Sequence, residues 1–212
     1  MTSSAPAVSR PGDAPIVRRA RGEDADAVVS VLARAFDTDP AIGYFLRQDG
    51  KRAQAYRQFF HAFFWHMCFP HGEVWMEGEG LGAALWTPPG AFQVGFTLVM
   101  RMAPPIISAA GFPRVLGTAL AMGRVQAIHP KEPHFYLFAL GVDPAHQGRG
   151  IGSAMLRKVL ERCEADGVGA YLEASTTESA KLYARHGFAG ADEFRMAKDA
   201  PPIWPMWRSP RS

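Results

Sequence analysis

Two periods of apolar residues divide this chain into helices and strands. Between Asp24 and Phe36, residues Ala27, Val28, Val31, Leu32, Ala35 and Phe36 fall at helical spacing. Acidic Glu23 and Asp24 precede that stretch and Arg34 closes it, which suits the helix dipole. Asp37-Thr38-Asp39-Pro40 ends the helix, and 41–47 reads as one further turn. A second long helix is expected over 51–69, where Tyr56, Phe59, Phe60, Phe63, Phe64 and Met67 form a broad aromatic stripe of the kind that builds a core. Short strands are expected at 16–21, 72–77, 81–86, 135–142, 169–174, 188–196 and 203–208. The second and third are joined through Gly78-Glu79-Gly80 as a hairpin. Strand 135–142 is apolar on both faces, as a strand covered on both sides must be. Helices at 150–166 and 177–186 end at Gly167 and Gly187, where glycine supplies the left-handed cap.

The stretch from Ala91 to His129 is rich in Phe, Met and Ile. It is expected to form helices broken at Pro104-Pro105 and Gly111-Phe112-Pro113. With so few charges it must pack on something, either as a cover for one sheet face or as the wall of a pocket. The pattern as a whole predicts an α/β (α+β) fold: a mixed central sheet of about six to seven strands flanked by helices. One domain over 15–212, carrying a helical insertion at about 90–130, is expected to follow a disordered tail at 1–14.

Composition narrows the class of function. The chain has 212 residues, 48% of them apolar and 20% charged, as in an ordinary globular protein. A net charge of +3, carried mostly by scattered arginines, excludes a nucleic-acid surface built on basic runs. Arg101, Arg114, Arg124 and the prolines interrupt the most apolar region, so no stretch reaches the ~20 apolar residues a membrane helix requires. Cys68 and Cys163 sit in apolar or helical surroundings and read as buried reduced thiols, which fits a cytoplasmic protein. His61, His66 and His71 lie five apart, off the i, i+4 spacing of helix-borne metal ligands, so no metal is expected.

The chemistry concentrates in HFYLFALGVDPAHQGRGIGS, His134 to Ser153, a strand, a turn, a glycine loop and a helix start. Unpaired N–H groups and the positive dipole end at such a helix start suit a phosphate. No lysine follows the glycines, so this is not a P-loop. Ser153 stands where a dinucleotide fingerprint needs its third glycine. Gln147, Gly150 and Gly152 instead satisfy the pattern Arg/Gln-x-x-Gly-x-Gly/Ala.

That pattern resembles the acetyl-CoA pyrophosphate loop of the GCN5-related N-acetyltransferase (GNAT) superfamily. The segments YLEAS (171–175) and KLYARHGF (181–188) are similar to later parts of its fold, and so is the order of elements. With ALWTPP (84–89) and the loop itself, they look most like puromycin N-acetyltransferase-like proteins. The resemblance implies a GNAT-type fold and acetyl-CoA as donor to a small-molecule amine, antibiotic-like amines among the candidates. It further implies that the backbone of Gln147, Gly148, Arg149, Gly150, Ile151, Gly152 and Ser153 binds the pyrophosphate, with Arg149 reaching a phosphate. Leu140, Gly141 and Val142 would pair with the pantetheine amides. Thr176 and Ser179 stand where many members carry a cofactor-contacting asparagine.

Thioester aminolysis also needs a proton for the departing thiolate and a base for the amine. Tyr183, in the LY-x-x-x-GF context, is the expected acid, since a phenol near ~10 can protonate a thiolate near ~8.5 when positioned. Glu173 is the expected base, directly or through water, because a carboxylate in an apolar strand is costly without a task. Alternation puts Glu173 on the same side as Tyr171. No metal, nucleic acid or membrane is implied, and the chain would act as a monomer or homodimer. A protein or peptide N-acetyltransferase and a non-catalytic acyl-CoA-binding module are the alternatives.

Overall fold

The computed structural model describes residues 14–92 and 96–210. Most of the expected tail therefore lies outside the described residues. Strands β1 (Val17–Arg19), β2 (Val74–Glu77), β3 (Gly82–Thr87), β4 (His134–Val142), β5 (Gly169–Ala174), β6 (Ala189–Gly190), β7 (Phe194–Arg195) and β8 (Pro202–Arg208) form the sheet. Its order is β1-β2-β3-β4-β5-β8-β6, with β7 also on β8. Only β4 and β5 run parallel; the other pairs are antiparallel. The sheet is mixed, as expected, with eight strands where six to seven were anticipated.

The extra strand comes from the C-terminal region. The single strand expected over 188–196 is two short ones, because the exposed Asp192 and Glu193 leave the ladder after Ala191, whose amide still donates to Pro205 O (2.8 Å). Ala189-Gly190 pairs with Trp207 and Met206, whereas Phe194 pairs with Ile203 at the other end of the same partner strand.

Helices α1 (Ala25–Ala35), α2 (Pro40–Phe45), α3 (Arg52–Phe63), α4 (Phe96–Ala110) and α5 (Val115–Ile128) precede β4. Helices α6 (Ile151–Asp166) and α7 (Thr177–Arg185) follow it. A π-turn at Phe64–Cys68 continues α3. The whole aromatic stripe of that segment is buried: Tyr56, Phe59, Phe60, Phe63, Phe64 and Met67 join Val28, Val31 and Leu32 of α1 in one core. A second core lies between α6 and the sheet, where Met155, Leu156, Val159 and Cys163 meet Trp86, Phe135, Leu137 and Leu172. The sheet is thus covered on both faces, which is why β4 is apolar on both sides after His134. Both cysteines are free and buried.

One expectation fails. α4 is not broken at Pro104-Pro105; it runs through both prolines and ends at Gly111, whose φ is +78°. The prolines leave the carbonyls of Met100 and Arg101 without amide donors, but that side of the helix is exposed and water can satisfy them. On the inner side Met102, Ile106 and Ala109 pack against the aromatic core, and that burial holds the two halves in line. Among the described residues no helix is long and apolar enough to cross a membrane.

Candidate active site

The site begins where β4 and β5 part. Their parallel pairing runs from His134↔Gly169 to Leu137↔Leu172 and stops. β4 continues to Val142 on β3, while Glu173 and Ala174 pair only with Pro205 and Trp204 of β8. A bulge causes the divergence: Leu85 faces Ala139 while Trp86 faces Leu137, so Phe138 is an extra residue that bends β4 away from β5. Phe138 and Ala139 consequently both face the α1/α3 core. The β4 edge from Phe138 to Val142 is left without a β5 partner, a slot into which an extended amide chain can add as a strand. Leu140, Gly141 and Val142 lie along it. Gly141 itself is required by packing, since a Cβ there would sit 2.7 Å from Ala35 Cβ.

After β4 the chain turns at Asp143, whose carboxylate accepts from Ala145 N (3.1 Å) and pairs with Arg34 Nε (2.8 Å). Those partners hold it below the ordinary carboxylate range, the Ala145 amide first. Gln147 donates to Val142 O (3.3 Å) and folds the loop back on the strand. Gly148 (φ +75°) and Gly150 (φ +78°) are left-handed with open space around them, and Gly150 caps α6. Gly152 serves packing instead: a Cβ there would meet Leu140 Cδ2 at 3.3 Å. Arg149 is exposed. Ser153 Oγ is 2.9 Å from His186 Nε2. The free amides at the start of α6 thus follow directly on the open β4 edge, the order a pyrophosphate followed by a pantetheine arm requires.

Tyr183, on α7, is buried against Phe188 at the far side of the split. Burial, and then the Asp39 carboxyl, push its phenol above its usual range, so it keeps its proton at neutral pH. The hydroxyls of Thr176 and Ser179 are spent locally. Thr176 caps α7 by accepting from Ser179 N (3.1 Å), and Ser179 Oγ donates to Thr176 O (2.9 Å).

Glu173 shares a face with Tyr171, and both side chains lie on the sheet face opposite α6. Its Oε2 accepts from Tyr136 Oη (2.9 Å), the Tyr171 hydroxyl lies close enough to act on the same carboxylate, and Oε1 makes no hydrogen bond of ordinary geometry. Burial outweighs the tyrosines and raises the Glu173 carboxyl to about 7. Glu173 lies at the wall of a cavity of about 570 Å³ that is otherwise almost wholly apolar, with Phe45, Phe59, Phe63, Phe92 and Phe138 among its lining. The insertion supplies a large share of that wall through Met102, Ile106, Ala119 and Met122.

A second carboxyl, Asp39, reaches the same cavity and was not singled out in the sequence. It caps α2 by accepting from Ile42 N (2.8 Å), accepts from Ser175 Oγ, and is raised by burial. Asp39-Pro40 carried the signal, since it is the signature of a helix start as well as of a helix end. The sequence also offered no reason to group His129 with Glu173, although His129 Nδ1 lies 4.0 Å from Glu173 Oε1.

Comparison with known proteins agrees with this fold. Residues 108–188 match the model of the acetyltransferase (GNAT) family. The solved structure of histone acetyltransferase HPA2 and related acetyltransferase from Corynebacterium glutamicum superposes with a TM-score of 0.73 at 28% identity, covering 93% of this chain and 97% of that one. An uncharacterized N-acetyltransferase of Schizosaccharomyces pombe is 22% identical over 86% of this chain and 77% of its own length. The N-alpha-acetyltransferase RimI of Mycobacterium tuberculosis is 34% identical over 99 residues, 40% of this chain and 61% of that protein. These matches support GNAT superfamily membership and an acetyl-CoA-dependent N-acetyltransferase activity.

Proposed function

We propose that this enzyme transfers the acetyl group of acetyl-CoA to the primary amine of a small, largely apolar molecule. The observation that carries the reading is a carboxyl group, Glu173, set in an almost wholly apolar cavity beside the split between β4 and β5. An amine with an apolar body fills such a cavity by burial and finds a carboxyl partner for its nitrogen.

Each residue has a task in that reaction. The loop amides from Gln147 to Ser153 bind the pyrophosphate, and the free edge at Leu140, Gly141 and Val142 pairs with the pantetheine amides. One amide of that edge polarises the thioester carbonyl, which is where negative charge develops. Glu173 takes the proton from the attacking amine; a carboxyl near 7 is half ionised at neutral pH, the optimum for a base working there. Tyr183 holds its proton until the sulfur gains charge and then donates to it. Burial keeps Tyr183 protonated, and the Asp39 carboxylate, when ionised, adds to that.

An amine panel read by release of free CoA tests this directly. Arylalkylamines and puromycin-like nucleosides, which join an amine to an apolar or aromatic body, are expected to turn over faster than polyamines, aminoglycosides or peptides. Faster turnover of peptide N-termini would move the acceptor to protein, and absence of acetyl-CoA binding at millimolar ligand would sink the reading altogether.

A further inference from the structure

Behind Glu173 lies a pair of histidines whose protonation is dictated by what they touch. His134 Nδ1 is 2.6 Å from the backbone carbonyl of Glu132. A carbonyl only accepts, so that nitrogen carries the hydrogen. In the neutral ring Nε2 is then bare. His134 Nε2 is 3.0 Å from His129 Nε2, so His129 must be the donor in that bond. Its own Nδ1 is thereby left as a bare acceptor. That atom is buried without a hydrogen-bond partner, and it faces Glu173 Oε1, also buried without one, at 4.0 Å. Two acceptors that face each other at 4.0 Å repel unless a proton lies between them. The Glu173 carboxyl supplies it once it has taken a proton from the amine.

We propose that His129 and His134 form a tautomer-locked pair that sets the proton-accepting power of Glu173, and that they do so as positioning residues. This rests on the assignment of Glu173 as the base. When the amine N–H bond breaks and the Glu173 O–H bond forms, a small turn of the carboxyl brings that O–H onto His129 Nδ1. No other bond changes, and the proton stays on Glu173 until product leaves.

Several features hold the pair in place. Phe92 stacks on the His129 ring (centroids 4.4 Å), Tyr136 and Tyr171 meet it edge-on, and Trp207 of β8 meets His134 edge-on. The titratable groups facing Glu173 are Tyr136 from β4, Tyr171 from its own strand and His129 from the end of α5. Asp39 shares the cavity, and His134 faces His129, Tyr171 and the Glu132 backbone. Burial lowers both histidines, His129 to about 4, so the His129 ring is neutral at pH 7.

The test has one arm that needs no substrate. Nitrogen-15 NMR of the histidine-labelled full chain should show His134 protonated at Nδ1 and His129 at Nε2. Carbon-13 titration of the Glu173 carboxyl should then move down by about one pH unit in His129→Leu and in His134→Leu, because the protonated form loses its acceptor or its lock. His134→Gln should restore the wild-type titration, since its amide oxygen accepts from His129 Nε2–H while its NH₂ serves the Glu132 carbonyl. In turnover, the two Leu variants should shift the rising limb of kcat/KM by the same amount, with the KM for acetyl-CoA unchanged. The opposite tautomers in the wild-type chain, or an unmoved Glu173 titration in both Leu variants, would overturn the inference. A confirmed titration shift together with wild-type turnover in Glu173→Gln would leave the pair standing and remove Glu173 as the base.

Discussion

The proposed donor and acceptor halves of this site are built by opposite strategies. The donor half is continuous: Leu140 to Ser153 supplies the open strand edge, the left-handed glycines and the start of α6 within fourteen residues. Its parts are backbone amides, and side chains such as Gln147 serve mainly to fold it. The acceptor half is assembled from distant pieces: Asp39 before α2, Phe59 and Phe63 on α3, Met102 and Ile106 on α4, Phe138 on the bulge and Glu173 on β5. It works through side chains, mostly apolar. A site that recognises an invariant donor can be made of backbone in one segment. A site that selects among acceptors needs surfaces whose shape can vary independently of the sheet.

Substitutions at the junction of the halves should have the largest effects. Tyr183→Phe removes only the proton for the sulfur and should lower kcat by about 10²–10³-fold, with acetyl-CoA affinity within about twofold by calorimetry. Equal turnover would take Tyr183 out of the chemistry and leave the acid on the donor side unassigned.

Glu173→Gln should cost about 10²-fold in kcat/KM and abolish the part of the pH profile that rises through about 7. The same change should raise stability. Glu173 is raised from 4.5 to about 7, so the folded chain holds its proton more tightly than the unfolded one. That contribution is fully present below the unfolded value and is lost as pH rises through about 7. Its loss amounts to about 3 kcal/mol, so the melting temperature of Glu173→Gln should exceed that of the wild type at pH 8 and match it near pH 4. An equal gap at both pH values would mean that the carboxyl is not held neutral in the fold.

Two smaller effects separate the halves. Gly150→Ala forces a side chain into a left-handed conformation at about 1–2 kcal/mol, and should weaken acetyl-CoA binding about tenfold while the acceptor KM stays put. Met102→Ala should do the reverse, raising the acceptor KM about fivefold through lost packing with donor affinity untouched. If both changes moved both constants, the two halves would not be separable.

Pattern carried a great deal of this. The donor loop was legible because it is local: strand, turn, glycines and helix start succeed one another, and Tyr183 came with its own segment. Glu173 was legible because a lone carboxylate in YLEA is out of keeping with an apolar strand. Asp39 was not, since Asp-Pro marks helix ends and starts alike. The failure at Pro104-Pro105 has the same origin: proline rules describe an isolated helix, and α4 is held straight by what it packs on.

Residue order alone thus set most of the elements and the faces they bury, which depend on spacing within one stretch of chain, and it carried the local segments on which the resemblance to the GNAT superfamily rests. Only the tertiary structure decided the rest. The bulge at Phe138 that opens the slot appears only in the register of β4 against β3. The cavity exists only once the insertion has settled on α3. The bare nitrogen of His129 is fixed by a carbonyl two hydrogen bonds away, through residues 129, 134 and 173, whose meeting no local spacing encodes.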